Sequence, residues 1–178
     1  NGLARAQNLG ISAAKARGAG WVLLLDDDSV ADAGMLHAQL AAYDGLGAEE
    51  QARVAVIGAN VQEAALKRSP LYMQRSGALG LSRIGFGEGE YLRRLHYVCA
   101  SGSLISLRVL DAVGPMRESF FIYFIDTEFC LRAHQQGYET LAVKSALLHH
   151  RIGERSEHRF LGKRVSTTNH PAQARYWL

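Results

Sequence analysis

The strongest constraint on the fold is an apolar run that ends in three consecutive acidic residues. The run covers 21–25 and is followed directly by Asp26, Asp27 and Asp28. An uninterrupted apolar run bounded by turn residues is typical of a strand buried on both faces of a parallel sheet. The run therefore predicts a central strand of an α/β fold, with the acidic triplet at its carboxyl end.

Segments on both sides of this run alternate between helical and strand patterns. They predict a helix that precedes Gly18, a helix over 31–43, a strand over 54–59, loops or a short hairpin over 69–90, a helix over 107–113, a helix ended by Gly137 and a strand over 138–143. The residues after Val143 predict surface segments and a C-terminal tail. This alternation predicts one α/β domain over 1–178, with a mainly parallel central sheet flanked by helices.

Composition limits the classes of protein that the chain can represent. With 48% apolar and 21% charged residues, the 178-residue chain has the composition of a globular protein. The net charge is +3, but Lys and Arg are scattered, so basic nucleic-acid-binding tails are excluded. No apolar run reaches the roughly 18 residues needed to cross a bilayer, so any membrane contact is expected to be peripheral.

Two further features concern the compartment and the ends of the chain. Cys99 and Cys130 lie in apolar stretches, which predicts buried reduced thiols and a cytoplasmic location. A parallel sheet normally needs its first strand and crossover, yet this chain opens on a helical pattern. The N-terminal strands of the domain are therefore expected to lie upstream.

The acidic triplet is a candidate metal site. Side chains at the carboxyl end of such a strand point into the crevice where ligands of α/β sheets bind, and Asp26 and Asp28 can face the same pocket. Mg²⁺ or Mn²⁺ bridged to a diphosphate would offset the repulsion among the three carboxylates. The alternative is a solvated turn in which Ser29 or Asp28 caps the next helix.

A second acidic motif, Asp126-Thr127-Glu128, follows the aromatic run over 120–124. A carboxylate beside aromatic surface loses hydration, which favours proton uptake and suits Asp126 to act as a general base. The alternative is that Asp126 only caps the helix that follows. Glu128 and Arg132 are four residues apart and predict a supporting ion pair on that helix.

A third motif, His149-His150, follows the apolar strand pattern. Adjacent residues of a strand point to opposite faces, so one histidine of the pair, His150, is predicted to complete the metal site. The alternative is that both are structural or exposed. The sequence contains no zinc-type cysteine pair, phosphate-binding loop, dinucleotide glycine motif or nucleophile elbow, which weighs against NTPases, dehydrogenases and hydrolases.

Taken in order, these segments resemble the inverting family 2 glycosyltransferases, which have the GT-A fold, and within them the bacterial rhamnosyltransferases of surface polysaccharide assembly. The matching segments are the asparagine and glycine segment over 1–10, the DxD-type triplet over 26–28, Ser101-Gly102-Ser103, Asp126-Thr127-Glu128 with Gly137-Tyr138, His150-Arg151-Ile152-Gly153, and His170-Pro171 with Arg175-Tyr176. Many members have Glu-Asp where this chain has Ile125-Asp126, so only the second acid carries over.

The resemblance implies a role for each motif. It assigns the catalytic base to Asp126, the Mg²⁺ or Mn²⁺ to Asp26, Asp28 and His150, donor binding to Asn1, Asn8 and 26–28, and the acceptor side to Ser101, Gly102 and Glu128. It implies a dTDP- or UDP-linked sugar donor, with rhamnose as the first choice, and a saccharide or lipid-linked saccharide acceptor. The expected location is the cytoplasm or the inner face of the cell membrane.

Two other functions fit parts of the pattern. A noncatalytic nucleotide-sugar or carbohydrate-binding module could retain the fold without turnover. A nucleotidylyltransferase also uses carboxylate-held Mg²⁺, but it should show a glycine-rich basic phosphate loop, which this sequence lacks.

Overall fold

The computed structural model describes residues 2–63, 72–76, 80–150, 154–160 and 163–169. The helices are α1 (Leu3–Ala16), α2 (Met35–Asp44), α3 (Ala48–Arg53), α4 (Leu107–Val113) and α5 (Ile125–Gln135), with a 3-10 helix over Glu118–Phe120. The strands are β1 (Trp21–Leu24), β2 (Ser29–Ala31), β3 (Val54–Glu63), β4 (Tyr72–Ser76), β5 (Gly80–Ile84), β6 (Tyr91–Leu92), β7 (Ser103–Ser106), β8 (Glu139–His150), β9 (Glu154–Phe160) and β10 (Lys163–Asn169).

The central sheet is mixed, not mainly parallel as predicted. Its strand order is β1-β7-β3-β8-β2, and β6 pairs with β8. Of the pairs in this sheet that the structure describes, β3–β8 is parallel, and the other pairs are antiparallel. The prediction was wrong because apolar runs show how deeply a strand is buried, but carry no information about its direction.

The strand before the acidic triplet was also predicted to be central. Among the described strands β1 lies at one end of the order, and all four of its residues are half-buried. Trp21 packs edge-on against Tyr43 of α2, with ring centroids 4.9 Å apart. The helix predicted over 31–43 begins only at Met35, because Ser29–Ala31 pairs with β8 as a short strand.

Buried side chains form two clusters on opposite faces of the sheet. Neighbouring residues of β7 divide between them, with Ile105 in the cluster that contains side chains of α1, α4 and α5, and Leu104 in the cluster that contains Met35 of α2. Successive strand residues point to opposite faces, so helices cover both sides of the sheet. The predicted α/β layering is confirmed.

The later part of the chain differs from its prediction in two ways. The predicted strand over 138–143 continues as β8 to His150, and β9 pairs with β10 in an antiparallel hairpin. After Val143 the structure thus has strands where the sequence predicted no regular element. Residues 151–153, 161–162 and 170–178, which include parts of the two predicted histidine motifs, lie outside the described residues. Cys130 is buried as expected, but Cys99 is exposed.

The predictions for 107–113 and 69–90 hold. α4 has the predicted bounds, and β4 and β5 form a hairpin within 69–90. No helix of the described residues is long and apolar enough to cross a membrane.

A glycine of the loop before β7 fixes where that loop crosses the sheet. Gly102 has a φ of +82°, and its carbonyl accepts hydrogen bonds from Ala59 N–H (3.0 Å) and the Gln39 side chain (2.7 Å). A Cβ at this position would lie 2.7 Å from the Ala59 Cβ and 2.9 Å from the Leu148 Cδ2. Only glycine combines this backbone conformation with such close packing.

We predict that Gly102→Ala lowers the free energy of unfolding by about 1–3 kcal/mol, because the added methyl group overpacks the core and the left-handed backbone is strained. Gly10→Ala is the matched control. Gly10 lies inside α1, where an added Cβ meets no atom within 4 Å, so alanine should raise stability by about 0.5–1 kcal/mol. Urea unfolding of the two variants should shift the midpoint in opposite directions; a shift in the same direction contradicts the prediction.

Candidate active site

The acidic triplet lies in the turn that connects β1 to β2, and a buried serine holds this turn. Asp26 is half-buried, while Asp27 and Asp28 are exposed. The Asp26 N–H donates to the Ser101 hydroxyl (3.1 Å), which also forms a hydrogen bond with the Ser29 hydroxyl (2.7 Å). The alternative in which Ser29 or Asp28 caps the next helix is wrong, because β2 intervenes and Gly34 precedes α2.

The second acidic motif begins α5, but Asp126 does not cap it. The N-cap residue is Phe124, in a left-handed conformation, and Asp126 is the second helical residue. Its Oδ2 accepts the N–H of Ala100 (3.1 Å), and its Oδ1 accepts the N–H of Thr127 (2.7 Å). The carboxylate is therefore oriented by the loop before β7 as well as by its own helix.

Two consecutive residues of that loop bring the acidic motifs together. Ala100 binds the Asp126 carboxylate, and Ser101 binds the Asp26 turn. We call this arrangement the Ala100–Ser101 bridge. Consecutive Cα atoms lie only about 3.8 Å apart, so the two motifs meet at one place although they are 100 residues apart in sequence.

Cys99 precedes Ala100 in the same loop, and burial and the charges of both acidic motifs affect its pKa. Although Cys99 is exposed as a residue, its thiol is largely desolvated by the surrounding protein, which raises its pKa to about 11, and the negative charges of Asp126 and Asp26 also raise it. Burial likewise raises the pKa of Cys130 to about 11, with a smaller contribution from Asp126. Both acidic motifs therefore act electrostatically on one small region of the protein.

The predicted acceptor residues Ser101 and Gly102 are buried beneath this region. The Ser101 hydroxyl is occupied by the bridge, and the Gly102 N–H donates to the Leu24 carbonyl (2.8 Å). These contacts give both residues a supporting role in the loop. Their contact with an acceptor remains a prediction.

Glu128, also predicted for the acceptor side, forms the expected ion pair with Arg132. The Arg132 Nε and Nη2 donate to the two carboxylate oxygens of Glu128 at 2.8 and 2.9 Å. The Arg117 Nε lies 3.0 Å from the Glu128 Oε1. Arg132 also donates to the carbonyls of Val113 and Pro115. The pair thus ties α5 to the loop after α4, and a role for Glu128 toward the acceptor remains a prediction.

Of the two asparagines predicted to bind the donor, Asn1 lies outside the described residues. The Asn8 side chain donates to the Met116 carbonyl (2.9 Å) and accepts the Met116 N–H (2.9 Å). These bonds attach α1 to the loop after α4. They give Asn8 a structural role, and donor binding by Asn8 remains a prediction.

The structure describes the backbone of His150 in β8. There His150 pairs with Ser29 and His149 pairs with Val30, which places His150 beside the end of the acidic triplet. The described residues contain no group of three or more His, Cys, Asp and Glu side chains that could hold a metal. Two carboxylates still fit Mg²⁺, which is commonly bound through one or two protein carboxylates and by phosphate oxygens.

A small pocket is lined in part by Asp126. Apolar side chains form most of its wall, including Leu24, Val98, Met116 and Phe129, and Gln7 of α1 contributes a polar group. The Gln7 Oε1 is buried and has no hydrogen-bond partner among the described residues. No sequence motif marks Gln7 or the backbone N–H of Ala100 as part of a site. The sequence analysis therefore identified neither group.

Comparisons with known proteins bear on the resemblance and on the fold. No family model matches the chain. The chain is 27% identical over 166 residues to the dTDP-rhamnosyl transferase RfbF of Shigella flexneri, covering 87% of this chain and 50% of that protein. It thus spans about half the length of this relative.

Among solved structures, the chain is similar to GalNAc-T7 with UDP, GalNAc and Mn²⁺, with a TM-score of 0.61 and 13% identity over 90% of this chain and 31% of that one. This similarity shows the GT-A fold. Together, the two comparisons confirm the predicted resemblance to rhamnosyltransferase-like glycosyltransferases.

We predict that Ser101→Ala lowers the free energy of unfolding by about 1–2 kcal/mol, because it removes the buried hydroxyl that the Asp26 N–H and Ser29 share. Amide hydrogen exchange should show faster exchange at Asp26. The control is Ser12→Ala, whose exposed hydroxyl bonds only within α1 and should change stability by less than about 0.5 kcal/mol. Equal effects of the two variants would mean that the bridge does not hold the acidic turn.

Proposed function

We propose that this chain is part of the catalytic region of a metal-dependent glycosyltransferase, which moves a sugar from a nucleoside-diphosphate donor to an acceptor hydroxyl with inversion. The observation that supports it most directly is the Ala100–Ser101 bridge, which brings one carboxylate beside an exposed acidic turn. A separate base and cation-binding group are what such a transfer requires. The similarity to a dTDP-rhamnosyl transferase supports dTDP-rhamnose as the first donor to test, with UDP-linked sugars next.

Asp26 and Asp28, with His150 as a third ligand, would hold the Mg²⁺ or Mn²⁺ of the donor diphosphate. The backbone pairing of His150 with Ser29 supports its membership of this group. The bound cation would supply Lewis-acid neutralisation of the diphosphate charge. Asp27 is exposed in the same turn, where it can contact the donor from outside the ligand set.

Asp126 would take the proton from the acceptor hydroxyl. Its two contacts with backbone N–H groups leave further lone pairs on both carboxylate oxygens. As the hydroxyl proton passes to Asp126, the hydroxyl oxygen forms a bond to the anomeric carbon, and the bond from that carbon to the diphosphate oxygen breaks on the opposite face. No covalent sugar–enzyme intermediate is needed in this single displacement.

The proposal extends to the biological setting. The acceptor would be a saccharide or lipid-linked saccharide of cell-surface polysaccharide synthesis, and the enzyme would be a member of family 2. It would act in the cytoplasm or peripherally at the inner face of the membrane. A noncatalytic sugar-binding module is the second candidate, and it is distinguished by absence of turnover in the full-length protein.

We expect Asp126→Asn in the full-length protein to reduce turnover by about 10²- to 10⁴-fold while leaving donor affinity within about twofold. The amide keeps an oxygen for the Ala100 N–H but cannot take the proton. The measurement is release of nucleoside diphosphate from dTDP-rhamnose or a UDP-sugar, with donor binding measured by calorimetry. Turnover that stays within threefold would assign the base to another residue.

We also expect the affinity for dTDP or UDP to fall at least about tenfold without Mn²⁺, and Asp28→Asn to remove most of this difference. Asp44→Asn is the control, because Asp44 is an exposed acid at the end of α2.

His150→Ala should weaken Mn²⁺ binding more than His149→Ala, since neighbouring strand residues face opposite sides. Calorimetric titrations decide both points: equal affinity with and without Mn²⁺ contradicts the metal site, and a larger effect at His149 contradicts the choice of His150.

A further inference from the structure

The aromatic segment immediately before Asp126 has an unusual backbone. Phe121 has a φ of +57° and Phe124 a φ of +61°. Positive φ is uncommon for a residue other than glycine and is a genuine outlier for a bulky one. Such strain persists only where surrounding contacts impose it, and it clusters at functional sites.

Contacts from the start of α1 hold this segment in place. The Phe121 carbonyl accepts the N–H groups of Leu3 (2.8 Å) and Ala4 (3.3 Å). A Cβ on Gly2 would lie 2.7 Å from the Phe121 Cδ2 and 2.9 Å from its carbonyl oxygen. The first residues of α1 therefore fit closely against the segment and fix the backbone that leads to Phe124.

Neither packing nor helix capping explains the side chain of Phe124. The residue is 69% exposed, so its ring gains little from burial. It stands at the N-cap of α5, where Ser, Thr, Asp or Asn would bond the first turn, and it makes no side-chain cap hydrogen bond. Asn would also suit the left-handed backbone better. A phenylalanine here thus weakens the helix start and leaves an aromatic face in water.

We infer that Phe124 is a stacking platform for a pyranose ring of the acceptor saccharide, an assignment that rests on the proposed function. Two residues of chain span at most about 7 Å, so Phe124 and Asp126 are near neighbours. A hydroxyl that gives its proton to Asp126 must approach within about 2.6–3.2 Å of the carboxylate. The ring that carries this hydroxyl then lies within reach of the phenyl face.

The chemistry around Phe124 favours a sugar over a lipid chain. The negative face of an aromatic ring attracts the weakly positive C–H groups on one side of a pyranose. Asp126 follows Phe124 by two residues, and the Ala100–Ser101 bridge holds the Asp26 turn beside Asp126, so carboxylates are available for the hydroxyl groups on the edges of the same sugar. A hydrocarbon chain would instead lie against these charges. Phe124 is accordingly a specificity-determining residue for the acceptor.

The test compares Phe124→Asn with Phe124→Tyr. Asn suits the backbone and the cap position but removes the ring, so the variant should be at least as stable as the unchanged protein while binding sugar more weakly. Tyr keeps the aromatic face and should bind within about twofold. Leu9→Ala removes an equally exposed apolar side chain from α1 and is the control for general surface effects.

The probes are a panel of methyl pyranosides, beginning with methyl α-L-rhamnoside and methyl β-D-glucoside, titrated into the full-length protein and followed by NMR. For the tightest of these, Phe124→Asn should raise the Kd about fivefold or more, with UDP and dTDP binding in Mn²⁺ unchanged. The inference is overturned if the pyranoside Kd of Phe124→Asn stays within twofold of that of the unchanged protein. It is also overturned if no pyranoside binds. Binding to anionic phospholipid vesicles that requires Phe124 also overturns it, in favour of a membrane contact.

These outcomes remain distinguishable from failure of the proposed function. If turnover is found and Phe124→Asn leaves both the pyranoside Kd and the acceptor KM unchanged, the glycosyltransferase proposal stands and the stacking site is wrong. If pyranosides bind through Phe124 but no donor is turned over, the sugar platform stands and the chain acts as a binding module.

Discussion

The arrangement of the candidate site depends on two adjacent residues, Ala100 and Ser101. One donates its backbone N–H to Asp126, and the other accepts the Asp26 N–H on its hydroxyl. In both contacts the donor is a partly buried backbone N–H group. Leaving such a group without a partner would cost free energy. Together they fix the separation of the two acidic motifs.

This bridge needs a rigid support, which the sheet and α2 provide. Gly102 follows the bridge and lies against Ala59 of β3, while the buried Gln39 side chain donates to the carbonyls of Ile57 and Gly102. A single polar side chain from α2 therefore links the helix, the central strand and the loop. The helices on the opposite face hold the other part of the site, because α1 anchors the aromatic segment and α5 carries Asp126.

The sequence predicted individual helices and ion pairs better than it predicted how the strands pair. Helical spacing and Gly114 set the bounds of α4, and the four-residue spacing of Glu128 and Arg132 gave their ion pair. Pairing partners have no such local pattern, so the antiparallel direction of β7 and the short β2 were missed. The acidic motifs were recognised as candidate site residues, but the Ala100 contact was hidden because a backbone N–H is present at every residue except proline.

The position of the acidic turn also constrains when the site can exist during synthesis. Residues 25–28 join β1 and β2, which stand at opposite ends of the described strand order, and β2 is held there by the last residues of β8. The parallel pairing of β3 with β8 likewise joins segments about 85 residues apart, a kind of contact that forms late in folding. The acidic turn therefore takes its final position only after residues 139–150 have been synthesised, because β8 pairs with β2. Until then the chain carries the three carboxylates without the strand that fixes the end of their turn.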